Sequence, residues 1–244
     1  MKRLVALCFV LAVAAGSSPA RAQNLDEVLA RHYEAMGGLE NTKAVAAVQL
    51  NGTATVPMQG LQLSMTIYQQ RPNRVRVEQT IEGTKLVQAF DGETAWMINP
   101  FMGAGEPTEV PGSDAAMLAE MGDFDGPLYD YAAKGHTLTL AGEEDLAGRP
   151  AYRIDATLAA GEQQTLYLDA ETYMVLRKVM SAEQQGRKMS VAQIFSDYRT
   201  EGGIQVPHAI ETTIDGQTMS KMTIDSVTIN PQLDAELFSM PGKE

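Results

Sequence analysis

The chain has almost no cysteine: Cys8 is the only one among 244 residues. It sits in an apolar N-terminal stretch expected to be removed. Neither a disulfide framework nor a cysteine nucleophile is then left to the rest of the protein. Basic residues are also scarce, 19 against 31 acidic ones, for a net charge of −12. That balance excludes nucleic acid, whose phosphates demand Lys and Arg. It also disfavours lasting adsorption to anionic lipid headgroups. No internal apolar run approaches the roughly 20 residues of a membrane span.

Catalytic constellations are missing as well. There is no G-x-S-x-G elbow, no phosphate-binding P-loop and no G-x-G-x-x-G. The three histidines are His32, His136 and His208. His208 and Glu211 point to opposite faces of a strand, and His32 and Glu34 do not face each other on a helix. Asp123 and Asp125 lack the remainder of a calcium loop and read as a solvated acidic turn. We therefore expect no enzyme, no cofactor and no metal.

What is present begins with a leader. Lys2 and Arg3 precede an apolar stretch from Leu4 to Ala15, Pro19 breaks it, and Ala20-Arg21-Ala22 supplies a small-x-small cleavage pattern. Residues 1–22 read as a secretory signal peptide, cut near Ala22, and the expected location is the periplasm. Their removal takes three basic residues and no acidic ones, so the net charge moves from −12 to −15. Residues 23–244 read as a single domain.

That domain opens with a helix capped by Asn24, with Glu27 completing a capping box and Gly37-Gly38 ending it. Strands follow, marked by alternation such as Leu61, Leu63, Met65 and Ile67 against Gln62, Ser64, Thr66 and Tyr68. About twelve are expected, five before and seven after an insert at about 100–135 that is rich in Gly, Pro, Met and Ala. Ser113 is expected to cap a short helix there, running through Met121. A sheet this wide should curl. The fold class is mainly β (α+β), a large curved antiparallel sheet with helices on one face. Its interior is expected to be lined by Leu63, Met65, Ile67, Val75, Val77, Leu86, Phe90 and Trp96. Met117, Leu118 and Met121 of the insert complete it. The 14 methionines, flexible and polarizable, suit a surface that accepts varied apolar ligands.

Three segments carry a resemblance. Arg71-Pro72-Asn73, then Asp91-Gly92 with Trp96 and Asn99-Pro100-Phe101, and the ending Leu237-Phe238-x-x-Pro241 resemble the LolA-like outer-membrane lipoprotein-sorting family. Asp123 to Gly135 and Leu168-Asp169-x-Glu171-Thr172-Tyr173 are similar to a broader branch of it. The resemblance implies an incomplete β-barrel whose concave face is capped by helices and shelters acyl chains. It implies a monomeric carrier of lipoproteins or another envelope lipid, working between an inner-membrane transporter and an outer-membrane receptor. It further implies that Arg71 controls the lid by bonding lid carbonyls. A second reading it allows is a LolA-like sensor domain that binds lipoproteins in envelope stress signalling.

Overall fold

The computed structural model describes residues 24–184 and 187–242. The expected signal peptide lies outside the described residues. Helix α1 (Leu25–Ala35) starts at the expected capping box: Asn24 accepts from the Glu27 amide at 2.9 Å, and the Glu27 carboxylate accepts from the Asn24 amide. It turns sharply at Gly37 and Gly38, both with positive φ, and continues as α2 (Leu39–Ala44), a short helix the sequence reading did not anticipate. A side chain at Gly37 would collide with the Gly203 carbonyl, so this corner sits directly on the sheet.

Six strands follow as a meander: β1 (Ala47–Val56), β2 (Leu61–Gln70), β3 (Arg74–Ile81), β4 (Thr84–Phe90), β5 (Ala95–Asn99) and β6 (Ala104–Glu109). Helix α3 (Gly112–Gly122) comes next, and then seven more strands. These are β7 (Thr137–Asp145), β8 (Pro150–Thr157), β9 (Gln163–Asp169), β10 (Val175–Gln184), β11 (Arg187–Glu201), β12 (Ile204–Ile214) and β13 (Gln217–Ile229). All pair antiparallel into one sheet, and β1 beside β13 fuses the two meanders. The sheet is not closed: β6 forms one edge and β7 the other. Residues 110–136 therefore link opposite edges and must cross the sheet, carrying α3 with them.

Strand β6 is a correction to the expected count, since it falls inside the insert. Gly105 and Pro107 hide its alternation. A proline is tolerated there because an edge strand has one row of backbone donors without a neighbour.

Apolar side chains form two separate cores on the helix-bearing face. In one, Ile67, Val75, Val77 and Phe90 pack under Leu118 of α3 and Val110. In the other, Val28 and Leu29 of α1 pack on Leu138, Ile154, Leu166 and Leu168. A third cluster lies on the opposite face of β4 and β5, where Val87, Ala89 and Trp96 meet Met240 of the C-terminal tail. The Trp96 indole donates to the Phe238 carbonyl at 2.7 Å, and Arg76 donates to the Leu237 carbonyl at 2.9 Å. Phe238 is fully buried.

The tail is thus a structural element of the outer face. Phe238→Ala should lower unfolding free energy by about 3–5 kcal/mol in a urea titration. The emission of the chain's single tryptophan should shift to the red in the native state as its environment wets. An unchanged midpoint and emission maximum would show that the tail does not hold this face.

Candidate functional site

Between the two cores the sheet is left uncovered, and a cavity of about 370 Å³ lies there. Its floor is made by Val48 and Leu50 of β1, Phe195 of β11, Val206 and Ile210 of β12 and Ile224 of β13. The wall on one side is α1 and α2, through His32, Tyr33, Met36 and Val45. The roof is the end of α3 and the turns after it, from Glu120 to Tyr129. Most of the surface is apolar.

The floor owes its depth to a parting of strands. β12 pairs with β13 only from Ala209↔Thr223 to Ile214↔Gln217, whereas β11 follows β12 down to Glu201↔Ile204. Below Ala209 the backbone groups of β12 find other partners. Pro207 has no amide to offer, the Gln205 amide donates to Met36 at 3.0 Å, and the buried His208 ring donates from Nδ1 to the Ile224 carbonyl at 2.8 Å. The α1–α2 corner fills the lower end of this gap.

Arg71 fixes the roof. Its Nε donates to the Val45 carbonyl at 2.7 Å and one terminal nitrogen to the Thr42 carbonyl at 3.0 Å, both at the end of α2. Both terminal nitrogens grip the Asp125 carboxylate of the insert, one of them at 2.7 Å, and the Phe124 ring lies against the guanidinium. The Asp125 side chain is only 6% exposed. Its carboxylate bond raises the Arg71 pKa above the ordinary arginine value. The sequence reading had Arg71 bonding lid carbonyls; the carbonyls it bonds belong to α2, and its lid partner is a carboxylate. Nor is the Asp123–Asp125 turn a solvated one: Lys134 donates to both oxygens of Asp123, at 2.7 and 2.6 Å.

Further contacts hold the end of α3. Gln69 donates to the Met121 carbonyl at 2.6 Å, and a side chain at Gly122 would collide with the Asn73 carbonyl. The whole Arg71-Pro72-Asn73 turn is therefore the seat of the lid. Across the cavity, Gln164 and Lys178 both donate to Glu120, at 2.8 and 3.0 Å.

Of the residues expected to line the interior, Met121 lines this cavity. Ile67, Val75, Val77, Phe90 and Leu118 are brought together, with Met65 at their margin, as the core beneath α3. Leu63 is buried in β2, and Leu86 is half-buried opposite Gln79. Met117 is 51% exposed on the outer side of α3. Trp96 faces the tail on the other side of the sheet. Alternation ranks all strands alike, so it gives no ground for placing the interior on the first meander rather than the second. The floor on β11 and β12 alternates equally well, in Gln193/Phe195 and Ile204/Val206/Ile210. Asp125 as the partner of Arg71 had no sequence signal.

Two titratable groups in the wall are shifted by burial. His32 donates from Nδ1 to the Tyr173 carbonyl at 2.8 Å, and desolvation lowers its pKa below the usual 6.5 despite that bond. The Tyr33 hydroxyl donates to the Leu128 carbonyl at 2.6 Å, and burial followed by the Asp130 charge pushes it up to about 12. Among the described residues no group of three or more His, Asp or Glu side chains is arranged to hold a metal. None of the described helices is long and apolar enough to cross a membrane.

The fold is LolA-like, an open antiparallel barrel similar to that of several solved structures. A LolA superfamily protein from Nitrosomonas europaea superposes with a TM-score of 0.58 at 11% identity, covering 89% of this chain and 98% of that one. A domain from Vibrio parahaemolyticus named as an outer-membrane lipoprotein-sorting protein gives 0.56 at 13% identity, with 84% and 97% covered. A DUF1329 family protein from Desulfovibrio piger gives 0.57 at 14%, with 85% and 95% covered. No family model matches the sequence, and no curated protein is similar to it.

Two measurements test this geometry. Arg71→Leu leaves the Asp125 carboxylate enclosed without its cation, so stability should fall by about 2 kcal/mol, less than for a fully buried pair because Arg71 is partly exposed. Adding Asp125→Leu should restore much of the loss. Amide exchange over 112–129 should rise in the single variant, and unchanged exchange there would show that the pair does not hold the roof. For His32 the folded pKa lies below the unfolded one, so its contribution to stability is whole above about pH 6.5 and is lost as the pH falls below it. His32→Leu should flatten the fall of melting temperature between pH 7 and 5. An identical slope in both proteins would refute the assignment.

Proposed function

We propose that the protein is a periplasmic carrier that binds the acyl chains of lipoproteins or another envelope lipid for transfer toward the outer membrane. The observation that carries this reading is the apolar cavity on an open LolA-type sheet, roofed by a segment that polar side-chain contacts hold shut. Burying an acyl chain is worth about 0.8 kcal/mol per CH₂, so a carrier of such chains needs both an apolar interior and a means of release. The roof supplies the second. Opening it breaks the Arg71–Asp125 and Lys178–Glu120 contacts, and closing it on an empty cavity restores them.

In this reading the floor of β1, β11, β12 and β13 takes the chain first. The core residues Leu63, Met65, Ile67, Val75, Val77, Leu86, Phe90 and Leu118 become contacts as α3 lifts. Trp96 and Met117 take no part. Arg71 biases the protein toward the closed state. An inner-membrane transporter would load the carrier and an outer-membrane receptor unload it, with the carrier a monomer.

The test is transfer of a fluorescent acyl probe from loaded protein to acceptor vesicles. Arg71→Leu should slow release severalfold, because closure no longer competes with the bound chain. Ile210→Trp fills the floor and should weaken probe binding at least tenfold. Unaltered binding by the Ile210 variant, with normal folding, would remove the cavity from the function.

A further inference from the structure

Among the described residues, Lys178 of β10 is the one lysine or arginine that lines the cavity. Its side chain is 19% exposed. Of the three donors an ammonium carries, one is used among the described residues, on the Glu120 carboxylate of α3 at 3.0 Å. The side chains around it on the same face of the sheet are neutral. Leu166 of β9 and Gln193 of β11 stand directly opposite, and Gln164, Met180 and Val191 come next along the three strands. The sheet therefore gives Lys178 no carboxylate of its own.

Its counter-charge belongs to the roof. The acidic residues that the roof turns to the cavity are Glu120, Asp123 and Asp125. Asp123 is matched by Lys134, which lies in the insert as well. Glu120 and Asp125 are matched by cations outside the insert, Lys178 and Arg71. Lifting the roof therefore parts two carboxylates from two cations.

The two cations are left in different states. Arg71 keeps the Val45 and Thr42 carbonyls as acceptors. Lys178 keeps neutral neighbours at the side of an apolar floor. A charge set against apolar surface without a partner is costly. Opening around a neutral ligand bears that cost, whereas an anionic ligand group placed on Lys178 removes it.

We propose, resting on the carrier reading above, that the lipid carried has an anionic head and that Lys178 anchors it. The head oxygen takes the place of the Glu120 carboxylate on the ammonium, and the chain lies on the floor of β11 to β13. In the closed protein Glu120 stands in for the head, so roof and ligand compete for one cation. A lysine ammonium is a compact point charge and does not impose the planar fork that selects a carboxylate. The class is therefore acyl lipids with a carboxylate or a phosphate head.

The experiment follows transfer of pyrene-labelled lipids from phosphatidylcholine vesicles to the purified protein. The probes form two pairs, each differing in head charge: a fatty acid with its monoacylglycerol, and a phosphatidic acid with its diacylglycerol. The anionic member of at least one pair should bind about tenfold more tightly than its neutral partner, the worth of one charge-assisted hydrogen bond. The pair that shows the preference identifies the head as carboxylate or phosphate. Because both members of a pair meet the same roof, their ratio is insensitive to a roof loosened by mutation. Lys178→Met should bring the ratio to about one, and Lys178→Arg should retain it. Glu120→Gln, which removes the competing carboxylate and leaves the ammonium, should raise the ratio severalfold and serves if Lys178→Met fails to fold. Equal binding within both pairs overturns the proposal and leaves the carrier reading standing. A ratio that survives Lys178→Met, or that Glu120→Gln leaves unchanged, overturns it too. Transfer of none of the four probes overturns both readings.

Discussion

The Arg71 guanidinium is the contact on which the site depends. A guanidinium has five donors in a fixed plane. Here they are divided between the end of α2 and a carboxylate in the insert. The helical corner that forms one wall and the segment that forms the roof are thereby referred to a single group at the end of β2. The Tyr33 hydroxyl on the Leu128 carbonyl and the Tyr129 hydroxyl on the Leu39 carbonyl join the same two elements beside it. The Arg71 side of the roof is tied to the first meander, and the Glu120 side to β9 and β10 of the second.

The cavity itself follows from topology. Residues 110–136 must run from the β6 edge to the β7 edge, so they cross the concave face whatever their sequence. Helix α3 is anchored over β3–β5 by Leu118, and α1 over β7–β9 by Val28 and Leu29. Each anchor fills one half of the curve. The middle, over β1 and β11–β13, has no helix of its own, and a sheet this wide cannot flatten to remove the space. The parting of β12 from β13 deepens it at little cost, because Met36 and His208 satisfy the backbone groups that the ladder gives up.

Much of the fold was legible in the sequence because period-2 alternation and glycine turns are local signals. The capping box at Asn24, the strands of both meanders and the helix of the insert follow from a few neighbouring residues each. The misses have a common cause. Strand β6 was hidden because an edge strand tolerates Gly105 and Pro107. Trp96 reads as interior by residue type, yet which face of β5 is inward is decided by where α3 and the tail pack. Arg71 was singled out through its motif, but its partner lies 54 residues away. Asp125 in isolation looks like any acidic turn residue.

The same distinction explains why the cavity lies at the seam rather than over the first meander. Alternation reports which side chains face inward, and those of β2–β4 do face inward. It does not report whether the inner surface is filled. Filling depends on the landing place of α3. Leu118 anchors the helix on its core, and three further details set where its end lies: Gln69 on the Met121 carbonyl, the close approach of Gly122 to Asn73, and Arg71 on Asp125. Two of these are polar contacts, so a count of hydrophobic residues alone would not find the cavity. The apolar pocket in this protein is placed in part by the hydrogen bonds around it. Loss of one such bond would move the roof and redistribute space between the packed core under α3 and the open floor beside it. The floor and that core are, on this argument, two states of one continuous apolar surface, divided by where the insert rests.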